Sequence, residues 1–148
     1  MEKAKLAAMS FAMYLAVEFL FNSAFEALMG GPLFSYFILP IAGGKTSLLS
    51  AALFAAIVLL LFDAFKPAYK SIKGYHNRVL FVGVVVALLG PFYEWMSGIA
   101  IRLATGSAYS VYQFLPVLEG YTSLVSPFYF FIVGVAFVYS CRLLKLLD

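Results

Sequence analysis

Four stretches of this chain, residues 6–29, 46–65, 79–103 and 121–143, are each apolar over about 20 residues or more, the length that a ~30 Å hydrocarbon core demands. No water is available inside lipid to satisfy stray backbone groups, so each run is expected to be helical. Composition points the same way. Hydrophobic residues make up 64% of the chain and charged residues 11%, whereas a soluble domain carries roughly a quarter charged residues. That is too little charge to coat a water-facing surface, and a soluble globular domain is excluded. The expected fold is all-α: one polytopic membrane domain over residues 1–148 with four transmembrane helices. The opening MEKAK and its apolar run resemble a signal peptide. The run is too long for one, however, carries Glu18 and Glu26, and ends in Gly30-Gly31-Pro32 with no small-x-small cleavage pattern, so a retained helix is expected.

Basic residues orient the spans. Lys3, Lys5, Lys66, Lys70, Lys73, Arg78, Arg142 and Lys145 fall on one side of a four-span arrangement, and only Lys45 and Arg102 fall near the other. The positive-inside rule then places both termini and the central loop in the cytoplasm, as a multi-pass protein of the cell membrane. The net charge of +3 has a membrane explanation, and no nucleic-acid partner is invoked. A lone Cys141 permits neither an intrachain disulfide nor a cysteine metal cluster. No metal and no cofactor are expected.

One pattern is written twice. Y-x-x-L-P-x-x-x-G-x-T-S-L-x-S begins at Tyr36 and again at Tyr112, 76 positions on. It predicts two helical hairpins of similar plan, the first over about 6–65 and the second over about 79–143, joined by a basic cytoplasmic linker at 66–78. Each unit has an even number of spans, so the two copies are expected to run parallel. Within the first helices, FEALMG (25–30) aligns with YEWMSG (93–98) at an offset of 68. This matches Glu26 to Glu94 and Gly30 to Gly98, with eight extra residues in the second copy around IRLATGSA. The outer connections, PLFSYFILPIA and YSVYQFLPVLE, are apolar and aromatic where loops are ordinarily polar. Two readings stand: an interfacial aromatic belt carrying Tyr36, Phe37, Tyr109 and Tyr112, or partly re-entrant loops lining a cavity, with backbone covered by protein.

In each connection the Thr-Ser pair, Thr46-Ser47 and Thr122-Ser123, is expected to open the following helix by accepting from unpaired N–H groups. A sharper reading has the two helix starts facing a shared chamber and favouring an anionic group there. GGKTS is no phosphate loop: the required upstream glycine position holds Leu39, and the second copy has Tyr121 in place of the lysine.

Charged groups within spans face a bundle interior or an aqueous path. Glu18, Asn22 and Glu26 are spaced by four along one face of the first helix, as are Glu94, Gly98 and Arg102 on the third. Counted from the cytoplasmic ends, Glu18 sits near the midplane and Glu26 and Arg102 approach the outer side, which predicts a cross-helix Glu26–Arg102 ion pair. Gly83, Gly90 and Gly98 are expected at close helix contacts. His76 reads as a solvated loop residue, and Asp63 as a snorkelling residue or a partner of Lys66.

EFLFNSAFE (18–26), GKTSLLSAALF (44–54), YEWMSGIAIR (93–102) and YSVYQF (109–114) occur in an order and spacing that resembles the ABC-transporter type IV, or CmpB-like, membrane family. That group includes the vertebrate transmembrane protein 229 proteins. The resemblance covers about residues 15–134. Its most specific pieces fall on Glu18 and Glu26 and on Glu94, Gly98 and Arg102. It implies a four-helix membrane protein.

Three functions are weighed. The first is a small transporter or permease subunit whose central site draws on Glu18, Asn22, Glu26, Glu94, Arg102, Thr46, Ser47, Thr122, Ser123 and Tyr112. Four helices enclose little volume, so a homodimer or a partner membrane subunit is expected, with membrane lipid around it. The second is an intramembrane enzyme acting on a lipid or isoprenoid, with Glu26 and Glu94 as catalytic acid and base. The third is a non-catalytic scaffold or assembly subunit.

Overall fold

The computed structural model describes residues 2–147. Among them are four helices long and apolar enough to cross a membrane: α1 (Glu2–Met29), α2 (Leu48–Ser71), α3 (Tyr75–Thr105) and α4 (Ser126–Leu143). Several of their ends have local causes. Helix α1 stops at Gly30 (φ +78°), whose N–H bonds the Glu26 carbonyl at 2.9 Å, and α3 stops at Gly106 (φ +74°), whose N–H bonds the Arg102 carbonyl at 2.8 Å. A left-handed residue of this kind is the usual way to satisfy a last carbonyl. Ser47 caps α2, its hydroxyl accepting from the N–H groups of Leu49 and Ser50.

The expected cytoplasmic linker at 66–78 is mostly helix, because α2 runs on to Ser71 and α3 begins at Tyr75. The Arg78 guanidinium holds this corner, Nε donating to the Ile72 carbonyl at 2.7 Å and Nη2 to the Lys70 carbonyl at 3.3 Å. The Lys70 carbonyl in the last turn of α2, which lacks a partner within the helix, and that of the capping Ile72 are thereby satisfied.

Without a strong hydrophobic drive between helices in lipid, close packing decides which pairs meet. Helix α3 packs most extensively on α4, and α1 on α2. A Cβ placed at Gly134 would lie 3.0 Å from the Gly83 Cα, and one at Gly90 would fall within the Phe130 ring. The α1–α4 side is closed by aromatic side chains. Tyr14 stacks on Phe54 at 4.4 Å between ring centres, and Tyr129 stands 6.5 Å from Tyr14 and 5.2 Å from Phe21. Helices α2 and α3 barely meet, leaving an apolar cleft of about 150 Å³ between them.

The outer connections contain short strands that the all-helical expectation lacked. Between α1 and α2 lie β1 (Phe34–Tyr36), β2 (Pro40–Ile41) and β3 (Thr46–Ser47); between α3 and α4 lie β4 (Ser110–Tyr112), β5 (Pro116–Val117) and β6 (Thr122–Ser123). β2 pairs with β3 and β5 with β6, while β1 and β4 pair antiparallel with Ser35 opposite Val111. Reciprocal bonds extend that central ladder: Phe37 N–H to the Tyr109 carbonyl and Gln113 N–H to the Leu33 carbonyl, each 2.8 Å. The physical reason is burial. Leu33, Phe34, Tyr36, Tyr109 and Tyr112 are all buried, and backbone polar groups taken out of water must pair. Tyr36, Tyr109 and Tyr112 therefore do not form the exposed aromatic belt read as one alternative; of that set Phe37, 60% exposed, faces outward. Asn22 ties the first connection to α1. Its Nδ2 donates to the Phe34 carbonyl at 2.9 Å, and its Oδ1 accepts from the Leu33 N–H at 2.8 Å.

Candidate functional site

Glu18 and Glu94 sit mid-helix on α1 and α3 and are buried, at 0% and 5% exposure. A carboxyl group in an apolar bundle requires partners for its oxygens, and three hydroxyls supply them at Glu18. Tyr36 Oη donates to Oε1, Ser50 Oγ donates to the same oxygen at 3.1 Å, and Thr46 Oγ1 donates to Oε2 at 2.6 Å. The Tyr36 and Ser50 oxygens stand 2.9 Å apart, so these hydroxyls also touch each other. The donors come from β1, from the first turn of α2 and from β3 respectively.

Glu94 is held by the same residue types. Tyr112 Oη donates to Oε1, while Thr122 Oγ1 and Ser126 Oγ each lie 2.9 Å from Oε2 and 3.0 Å from one another. Every member of this second set stands 76 positions after its counterpart in the first. Burial, with the adjacent carboxylate adding to it, pushes the Tyr36 and Tyr112 phenols well above the usual tyrosine range. Both remain protonated donors.

The Thr-Ser pairs divide their work. Ser47 and Ser123 receive N–H bonds at the starts of the following helices and donate to the Ile38 and Phe114 carbonyls at 2.8 and 2.7 Å. Thr46 and Thr122 turn to the carboxylates instead. The acidic group beside each helix start thus belongs to the chain itself.

The expected Glu26–Arg102 pair does not form. Glu26 binds Lys45 at 2.6 Å, and Arg102 binds Glu119 at 3.2 Å and the Tyr121 hydroxyl at 3.4 Å, all at the partly exposed outer rim. α1 packs mainly on α2 and α4, and α3 mainly on α4, so each of these side chains meets the connection that follows its own helix. The matching of Glu26 with Glu94 fails as well, because the hydroxyl partners match Glu18 with Glu94. At that spacing Glu26 corresponds to Arg102 and Asn22 to Gly98. Two identities in FEALMG and YEWMSG were a weaker guide than four matched side chains. Asp63 pairs with Lys3 at 2.9 Å rather than Lys66, which binds Glu2 at 3.2 Å. Both pairs tie the start of α1 to α2.

Of the residues singled out in the sequence, Glu18 and Thr46 meet in one cluster, and Glu94, Thr122 and Tyr112 in the other. Asn22 anchors backbone, Ser47 caps α2, Ser123 accepts from the Val125 N–H ahead of α4, which Val125 itself precedes as cap, and Glu26 and Arg102 stay at the rim. Sequence reasoning missed Ser50 and Ser126 and read Tyr36 only as a belt residue. Their signal lay in the duplicated pattern, whose first Tyr and last Ser are these positions. Around the clusters, Tyr93 Oη reaches the Ser50 carbonyl at 3.4 Å, and Tyr109 Oη lies 3.3 Å from Ser97 Oγ. The Tyr14 and Tyr129 hydroxyls are buried without a hydrogen-bond partner among the described residues.

Hydroxyls both donate and accept. A ring of three can point its protons at an ionised carboxylate, or turn one oxygen to receive the proton of a neutral acid. Each cluster can therefore change charge by rotating C–O bonds while its backbone stays in place. No family model matches the chain, and it matches no curated protein and no solved structure.

Proposed function

We propose that this chain is a small transport subunit of the cell membrane that passes protons through Glu18 and Glu94. The observation that carries the reading is the pair of hydroxyl-ringed, buried carboxyl groups. Interhelical adhesion alone is served by neutral side chains at about 0.6 kcal/mol per hydrogen bond. Acids in lipid are costly and usually functional. We read the chain as two duplicated parallel hairpins whose outer connections re-enter the bundle, since Asn22, well inside α1, binds the Phe34 carbonyl. The positive-inside distribution puts both termini in the cytoplasm. A homodimer or a partner membrane subunit completes the path, and the resemblance to the CmpB-like family belongs to this proposal on the same motifs.

In this mechanism a proton delivered to one cluster neutralises its carboxylate. The Tyr36–Ser50 contact or the Thr122–Ser126 contact reorients, and the proton leaves on the opposite side when that cluster is re-exposed. The test is proton flux into proteoliposomes under an imposed pH gradient, read by an entrapped pH dye. Glu18→Gln and Glu94→Gln should each bring flux to background while the protein still elutes as a folded species. Wild-type protein without flux, or a double variant that keeps it, rejects the proposal.

A scaffold is the second reading, favoured by the complete internal satisfaction of both carboxyl groups. There the same variants would change assembly and thermal stability, with no flux to lose. The lipid-enzyme reading placed Glu26 and Glu94 together as acid and base, and Glu26 lies at the rim with Lys45 instead.

A further inference from the structure

The two open sides of the bundle are not alike. Tyr14, Phe21 and Tyr129 plug the α1–α4 side. The positions 76 residues after Tyr14 and Phe21 are Gly90 and Ser97, so α3 lacks these two rings, and Tyr93, between them, is the ring that reaches α2, at the Ser50 carbonyl. What remains is a cleft lined by aliphatic and aromatic side chains, among them Phe54, Leu61 and Phe65 of α2 and Val82, Leu89 and Tyr93 of α3. Phe54 to Phe65 is eleven residues of helix, about 16 Å. The cleft therefore runs from the level of Tyr93 to the cytoplasmic end.

Its shape and lining choose the occupant. A space of about 150 Å³ is smaller than one turn of a helix with its side chains, about 10–12 Å wide, so what enters it is a single chain rather than a helix. An apolar cavity of this size does not hold water. A hydrocarbon chain matches its length and its apolar lining. Arg78 lies one turn before Val82 on α3, beyond the cytoplasmic end of the cleft, with its guanidinium 5.2 Å from the centre of the Tyr69 ring, which is itself 5.9 Å from the ring of Phe65 in the lining. Two backbone carbonyls take some of its N–H groups. No carboxylate lies within ion-pair distance of it among the described residues, whereas the neighbouring Lys66 is held by Glu2. A guanidinium with donors to spare is suited to a phosphate.

We propose that the α2–α3 cleft holds one acyl chain of an anionic phospholipid whose phosphate rests on Arg78. The site is separate from the carboxyl clusters and is read out by binding, so its failure and a failure of proton flux are distinguishable. The experiment is native mass spectrometry of the full chain, delipidated in mild detergent and exposed to phosphatidylglycerol or phosphatidylcholine. Wild-type protein should retain one phosphatidylglycerol about tenfold more than phosphatidylcholine, on the scale of a charge-assisted contact. Ile57→Trp, which fills the cleft, should lose the retained lipid, with Val85→Phe as a second filling variant. Leu28→Trp, at a side chain 84% exposed away from the cleft, should keep it. Arg78→Gln should erase the preference between the two lipids and leave a weak, headgroup-independent adduct. Absence of a retained lipid, equal retention after filling, or a preference unchanged in Arg78→Gln would overturn the proposal, and the last comparison decides even if neither filling variant folds.

Discussion

A tyrosine hydroxyl delivered by a loop to a carboxyl group inside a helix is the contact on which each cluster turns. Tyr112→Phe keeps the ring packed against Phe34 but leaves Glu94 with two donors instead of three. It should lower stability by about 1–3 kcal/mol, measured by thermal unfolding in detergent. Tyr36→Phe should do the same at Glu18. A second residue-scale prediction concerns Glu119, held at φ +61° where the matching position is Gly43. Left-handed backbone is unfavourable for a residue with a Cβ, by about 1 kcal/mol, and the solvated Arg102–Glu119 pair offsets little of it. Glu119→Gly should therefore raise the midpoint of thermal unfolding. At this scale the sequence was half legible. Spacing by four exposed Glu18 and Glu94 as helix-face acids, yet nothing in a helix period reveals which loop hydroxyl will reach them.

Among the elements, the α3–α4 contact has the smallest tolerance. The Phe130 ring occupies the space where a Gly90 side chain would project, its Cγ falling on the place of the Cβ. Gly90→Ala must displace that ring and should cost about 1–3 kcal/mol, again by thermal unfolding, and should loosen α4 enough to raise proteolysis near Val125. Gly83 and Gly90 of α3 were readable as packing positions because small residues mark close approach in membranes, whereas Gly98 meets Tyr121 of the connection and no helix. The short strands were not readable. Two- and three-residue ladders have no periodicity to detect, and the central β1–β4 ladder exists because tertiary burial leaves its amides no solvent to bond, whereas β2 is exposed. The ends of α2 and α3 were misplaced for a related reason. Polar residues such as Lys66, Lys70 and His76 read as loop, although long side chains extend a helix past the apolar core while their charges reach water.

For the molecule as a whole, four spans were legible from length and hydropathy alone. Which faces meet was not, since lipid and protein interior are equally apolar. The orientation can be checked with an impermeant maleimide. Lys73→Cys should be labelled only from the cytoplasmic side and Ser107→Cys only from outside, and Cys141, fully buried, should stay silent in both. The central β1–β4 ladder bears on how the two hairpins find each other. Its two strands come from different hairpins and complete one another's amides, so cohesion resides in the outer ribbon and the α1–α4 seam rather than in the short corner between α2 and α3. A gene divided after codon 73 should accordingly yield two polypeptides that reunite in the membrane and co-purify. The peptide bond joining the halves would then serve to keep their numbers equal, a stoichiometric role that two separately encoded partners could fill.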